Sequence, residues 1–235
     1  MSATSLPASG EPPLDGPKTC DASGMIEIHR LFRHSFGEAR GLVDGVADGD
    51  TAHADVVAAQ LSLISVSLHA HHEAEDERLW PAIDERAPAC AAHVERMKQQ
   101  HAAMLVQLNA LDAALPAWRA APASTTAAPV HSALDGINTA LALHLPDEEA
   151  NIVPVMEYTI TKQEEEWFAK HGRASTPKGQ NWNMLGAILA SQPDGGDEWM
   201  KKHLPGPVTL LWRWVGAAKY AKYRAELEGD AAPRA

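Results

Sequence analysis

Two stretches decide the fold: "HAHHEAEDERLWP", His69 to Pro81, and "HLPDEEANIVP", His144 to Pro154. Each contains His, three residues, Glu, five residues, Pro. With one constant offset, His71 aligns on His144, Glu75 on Glu148, Asp76 on Glu149, Leu79 on Ile152 and Pro81 on Pro154. A charge run arising by chance has no reason to repeat its His, Glu and Pro together. The question is whether these groups form a solvated face or point inward.

The flanking residues answer it. Four segments carry apolar residues at alternating steps of three and four, the stripe of packed helices. The first, about 24–47, shows Met25, His29, Phe32, Phe36, Ala39, Val43 and Val46. The second, about 52–85, shows Val57, Leu61, Ile64, Leu68, His71, Glu75, Leu79 and Ile83. The third, about 88–115, runs Val94, Met97, His101, Met104, Leu108, Leu111 and Leu115. The fourth, about 127–159, runs Val130, Leu134, Ile137, Leu141, His144, Glu148 and Val155. Each stripe is interrupted at one level by His or His with Glu, and only there. Residues four apart are offset by about 40° around a helix and about 6 Å along it, so His71 with Glu75, and His144 with Glu148, project the same way.

The turn-forming stretches "DGD" at 48–50, "RAPA" at 86–89 and the Ala/Pro/Ser/Thr stretch 116–129 separate the segments. The expected fold is therefore all-α, an up-down four-helix bundle over 24–160. Residues 1–23, rich in Pro, Ser and Gly, read as a disordered N-terminal tail. Residues 161–235 read as an extension of short helices around 161–171, 178–191 and 206–228, packed on the bundle. Five of the seven tryptophans lie there. A lid over one end of the site, or a homodimer contact through the extension, is the sharper reading of that segment.

Composition narrows the function. A formal charge of −11 argues against nucleic acid or an anionic membrane surface as partner. Two cysteines, Cys20 and Cys90, make no disulfide framework. No targeting segment is visible, and the longest apolar run, Val208 to Val215, is too short to span a bilayer. A cytoplasmic protein is expected.

Carboxylates are almost never fully buried unless paired or metal-bound. Left unpaired, such groups cost several kcal/mol each, on the order of a domain's whole stability. A metal-free His–Glu network is the competing reading. Four imidazoles and two carboxylates suit a dinuclear site of iron, manganese or zinc, and the lack of a thiolate pair disfavours structural zinc. Ferritin-like bundles use Glu-x-x-His instead.

On these motifs, with "IHRLFR" in the first segment and "MKQQHAAM" in the third, the chain resembles the hemerythrin-like, or HHE cation-binding, family over about 24–160. The resemblance implies two non-haem iron ions, a di-iron centre bridged by two carboxylates and an oxo or hydroxo group. It makes His29, His71, His101 and His144 terminal ligands and Glu75 and Glu148 the bridges. His72 stands where some relatives supply a further ligand. The chain departs from the oxygen carriers in lacking a second histidine four residues from His101, where Met97 and Leu105 stand. That implies a histidine-poor, more open centre. Pro146 disfavours helix at Leu145, so a kink could turn Glu149 inward in place of Glu148. The implied function is binding or sensing of dioxygen or a related small molecule. The alternatives are an enzyme acting on hydrogen peroxide or nitric oxide, and iron storage or donation.

Of the other histidines, His34, His53, His93 and His131 fall off the stripes and are expected to face solvent, whereas His69 is a candidate supporting group. Glu73, Asp76 and Glu77 read as a solvated face from which one acid could orient a ligand imidazole. His171, His203, Tyr220 and Tyr223 reach the centre only if the extension folds over the bundle's open end.

Overall fold

In the computed structural model, which describes residues 17–229, the chain is helical and the described residues contain no strand. Four long rods form the bundle. The first is α1 (Ser23–Asp44). The second is α2 (Thr51–Ala74), continued by a π-helical turn (Glu75–Leu79) and α3 (Trp80–Arg86). The third is α4 (Ala91–Ala120), and the fourth is α5 (Ser124–Asn151) followed by α6 (Val153–Thr159). Asp50 caps α2, its side chain accepting the His53 N–H at 3.0 Å.

The stripes named from sequence make the core. Phe32, Phe36, Leu61, Ile64, Leu68, Met104, Leu108, Leu111, Leu134, Ile137 and Leu141 form one apolar cluster. Leu79, Trp80, Ile83, Val94, Met97, Ile152, Met156 and Ile160 form a second. Along each rod the His and Glu positions fall between the two clusters, so the polar level is closed by apolar packing above and below.

The extension holds α7 (Lys162–Ser175), α8 (Asn181–Ser191), α9 (Asp197–His203) and α10 (Gly206–Leu211), then a π turn (Trp212–Gly216) and α11 (Ala217–Leu227). It packs along the outside of α1 and α2. Met184 and Ala187 of α8 bury Leu31 and Leu63. At the far end the Tyr223 hydroxyl donates to Gln60 at 2.8 Å, and Arg224 grips Glu38 with two hydrogen bonds. Leu227 enters the main core. Trp182, Trp199 and Trp212 form the extension's own cluster with Leu189 and Met200, while Trp214 stays exposed.

Three details differ from the sequence reading. The stretch 116–129 is not a long connection, because α4 runs through Pro116 to Ala120 and α5 starts at Ser124. Of the expected tail, residues 1–16 lie outside the described residues, and Thr19 donates to the Glu157 and Ile160 carbonyls. The rod Thr51–Arg86 is long and apolar enough by composition to cross a membrane, though no single run within it shows this. Half of its most apolar window is buried inside the protein.

Candidate metal centre

Each rod delivers its polar residues to the same level. α1 brings His29, α2 brings His71 and His72, and the π turn opens with Glu75. α4 brings His101, and α5 brings His144 and Glu148. His29, His144 and Glu148 are wholly buried, Glu75, His101 and His72 nearly so, and His71 alone keeps a side chain 12% exposed.

Their ligand atoms fall into two groups, each spanning no more than 4.8 Å: His72, Glu75, His101 and His144; and His29, His71, Glu75 and Glu148. Glu75 belongs to both. Its Oε1 lies 3.2 Å from His71 Nε2 and its Oε2 lies 3.4 Å from His101 Nε2. Glu148 Oε2 stands 3.3 Å from the Nε2 atoms of both His29 and His144. The imidazoles also meet each other, His29 and His71 at 3.4 Å and His101 and His144 at 3.2 Å between Nε2 atoms. His72 stacks on His101 with ring centroids 4.0 Å apart.

The donor chemistry tests whether a cation fits. Both oxygens of Glu75, both of Glu148 and Nε2 of His72 are buried with no hydrogen bond. Buried polar atoms are almost always satisfied, and leaving five unsatisfied in one place costs on the order of 1–3 kcal/mol for each. A positive ion in each group satisfies them at once, so the residues fit a metal.

Electrostatics agree. Burial, then the charge of Glu148, push the Glu75 carboxyl well above its ordinary range. Burial acts the same way on Glu148, but the close imidazoles of His144 and His29 outweigh it and hold it well below. Burial drives His71 and His72 well below the ordinary imidazole value, and neighbouring imidazoles add to this. For His144 burial is partly offset by Glu148. For His29 the two acids beside it overcome burial and raise it. Without a cation the two carboxylates do not share the site as two anions, whereas neutral imidazoles are the form that binds metal.

A further layer holds the imidazoles from behind. Glu149 Oε1 accepts from His29 Nδ1 at 2.9 Å, and Arg33 donates to the same oxygen at 2.7 Å. Asp76 Oδ1 accepts from His101 Nδ1 at 2.9 Å and from Trp80 Nε1 at 2.8 Å. The Gln100 amide oxygen accepts from His144 Nδ1 at 3.0 Å, and Asp147, itself held by Arg96, orients that amide. Burial raises the Glu149 carboxyl, but its bonds from His29 and Arg33 prevail and hold it at about 2.

The model of the hemerythrin HHE cation binding domain matches residues 22–167. The chain belongs to the hemerythrin family. No curated protein and no solved structure matched it. The His and Glu groups fit a metal-binding hemerythrin-like protein, and they settle where each sequence candidate lies.

All seven candidate residues, His29, His71, His72, Glu75, His101, His144 and Glu148, converge. The third rod supplies only His101, as expected, and His72 on α2, a candidate from the sequence, brings a fifth imidazole beside it. Glu149 does not replace Glu148: α5 stays helical through Pro146, Glu148 is buried in the group, and Glu149 sits behind His29. His69 does not support the centre but pairs with Asp112 at 3.1 Å. His34 is exposed, whereas His53, His93 and His131 are half-buried, with His53 Nε2 bonded to the Leu227 carbonyl. His203 pairs with Glu27, His171 stacks on Trp167 and Tyr223 bonds Gln60, so none joins either group. Sequence reasoning missed Gln100, Asp147, Arg33 and Trp80. The repeat did hold a signal for two others, since Asp76 and Glu149 align.

Proposed function

We propose that this hemerythrin-family chain holds two iron ions and binds or senses dioxygen or a related small molecule. The observation that carries this reading is the unequal division of imidazoles around the shared Glu75: three in one group, two in the other. Each group offers four donors, and the His29–His71 group, where Glu148 stands in place of a third imidazole, is also where the centre reaches towards solvent at His71. Two ferrous ions, when bound, supply electrons that a diatomic ligand can accept reversibly. The protein's part is to hold, exclude and orient.

The chain's residues suit that part. Leu68, Met104 and Leu141, one turn along the stripes from the histidines, are buried in the main cluster and keep water from the centre. Phe32 lies against the His71 ring at 5.2 Å and narrows the one partly open side. The Nδ1 partners Glu149, Asp76 and Gln100 lock three rings with Nε2 inward. Burial of every donor but His71 favours retained metal over iron donation.

The test is optical. Anaerobically reduced, iron-loaded protein exposed to dioxygen is expected to show an absorption change that vacuum reverses. Irreversible oxidation in one turnover, with rapid gas evolution from added hydrogen peroxide, would overturn the binding reading in favour of an enzyme.

A further inference from the structure

The residue after each central carboxylate has the same place in both halves of the repeat. Asp76 reaches from the π turn to His101 on α4, and Glu149 reaches from α5 to His29 on α1, each accepting Nδ1–H at 2.9 Å. One imidazole in each metal group therefore leans on an anion, whereas His144 leans on the neutral amide of Gln100. Each anion also has a competitor on the same oxygen. For Asp76 it is the neutral N–H of Trp80, and for Glu149 the guanidinium of Arg33.

A carboxylate drawing on Nδ1–H makes the opposite ring nitrogen a stronger donor. A stronger donor favours the more highly charged metal. A second hydrogen bond to the same oxygen weakens that pull, a cation more than a neutral donor. We propose that Asp76 and Glu149 are a matched pair of positioning residues that set the donor strength of His101 and His29, with Trp80 and Arg33 moderating them. The proposal rests on the two-iron reading for its effect on metal, but the bonds themselves do not require metal.

A role in ring orientation alone makes a different prediction. Loosening His101 by any substitution would then shift its properties one way and release metal. Tuning predicts opposite signs. Asp76→Asn keeps an oxygen acceptor and loses the charge, so the reduction potential of the loaded protein moves positive. Trp80→Phe keeps the apolar bulk and removes the competitor, so the potential moves negative. Glu149→Gln and Arg33→Met are expected to form the same opposed pair.

The experiment is a potentiometric titration of iron-loaded wild type and these four variants, each with its metal content measured. It is accompanied by imidazole 15N spectra of the metal-free proteins at alkaline pH. The spectra are expected to show His101 and His29 protonated at Nδ1, with Asp76→Asn altering His101 alone and Glu149→Gln altering His29 alone. Shifts of the same sign within a pair, or none in variants that keep their metal, overturn the proposal. So does a His101 protonated at Nε2. If the spectra are as expected and the wild type takes up no iron, the two-iron reading fails while the carboxylate–imidazole pairing stands.

Discussion

Glu75 is where the structure concentrates both its cost and its purpose. In the metal-free chain its folded form holds a proton that the unfolded form releases, because its pKa lies well above the ordinary 4.5. Native protein binding more protons than unfolded protein means that stability falls as pH rises from about 4.5 through the raised value. Glu75→Gln removes that loss. In metal-free protein the variant is expected to match wild type below about pH 4.5 and to become progressively the more stable of the two as pH rises above it. Denaturant melts across pH check this, and a constant difference at all pH values would contradict it. His53→Ala is expected to leave bound metal unchanged while lowering the melting temperature, since His53 Nε2 holds the Leu227 carbonyl on α11. Six of the seven inward residues were readable from sequence because an apolar stripe rarely tolerates His or Glu without a partner or an ion to hold. What the sequence left open was His72, since facing of adjacent residues depends on how the helix is wound. Gln100 was unreadable too, because it reaches His144 from the side and interrupts no stripe.

At the level of elements, the stripes located four helices, but breaker residues misled about their ends. Pro116 removes a helical hydrogen bond at a cost of about 3 kcal/mol. Burial of Leu115 and Trp118 offsets it at roughly 1.5–3 kcal/mol for each side chain. The helix therefore continues to Ala120. The second rod shows the reverse, a widening where periodicity gave no warning. In the π turn the Trp80 N–H reaches back five residues to the Glu75 carbonyl, just before Pro81, which has no N–H to give. Pro154 plays the matching part in the other half, where Ile152 separates α5 from α6. The packing of the extension yields an element-scale prediction. A Cβ on Gly186 would stand 2.2 Å from the Tyr220 ring, whereas one on Gly37 meets nothing within 4 Å. Gly186→Ala is expected to destabilise the fold by about 1–3 kcal/mol. Gly37→Ala, in mid-helix, is expected to stabilise it by about 0.5–1 kcal/mol. Equal effects of the two in thermal melts would mean that α8 and α11 do not pack as described.

Across the whole molecule, two apolar clusters enclose one polar level, and the extension braces the outside of α1 and α2 without adding a residue to the metal groups. Little of the bracing was visible beforehand. Leu31 and Leu63 lie off the main stripes, and nothing local marks them as a seat for Met184 and Ala187. The buried carboxylates of this core fit a metal cation, and Glu75 belongs to both groups. The most direct test is elemental analysis of protein purified after expression in iron-replete medium, beside Glu75→Ala and Glu148→Ala. Two irons per chain are expected in the wild type, with a sharp loss in both variants, which remain folded. A folded wild type that takes up no metal, even from ferrous iron without oxygen, or variants that keep the wild-type content, would contradict it.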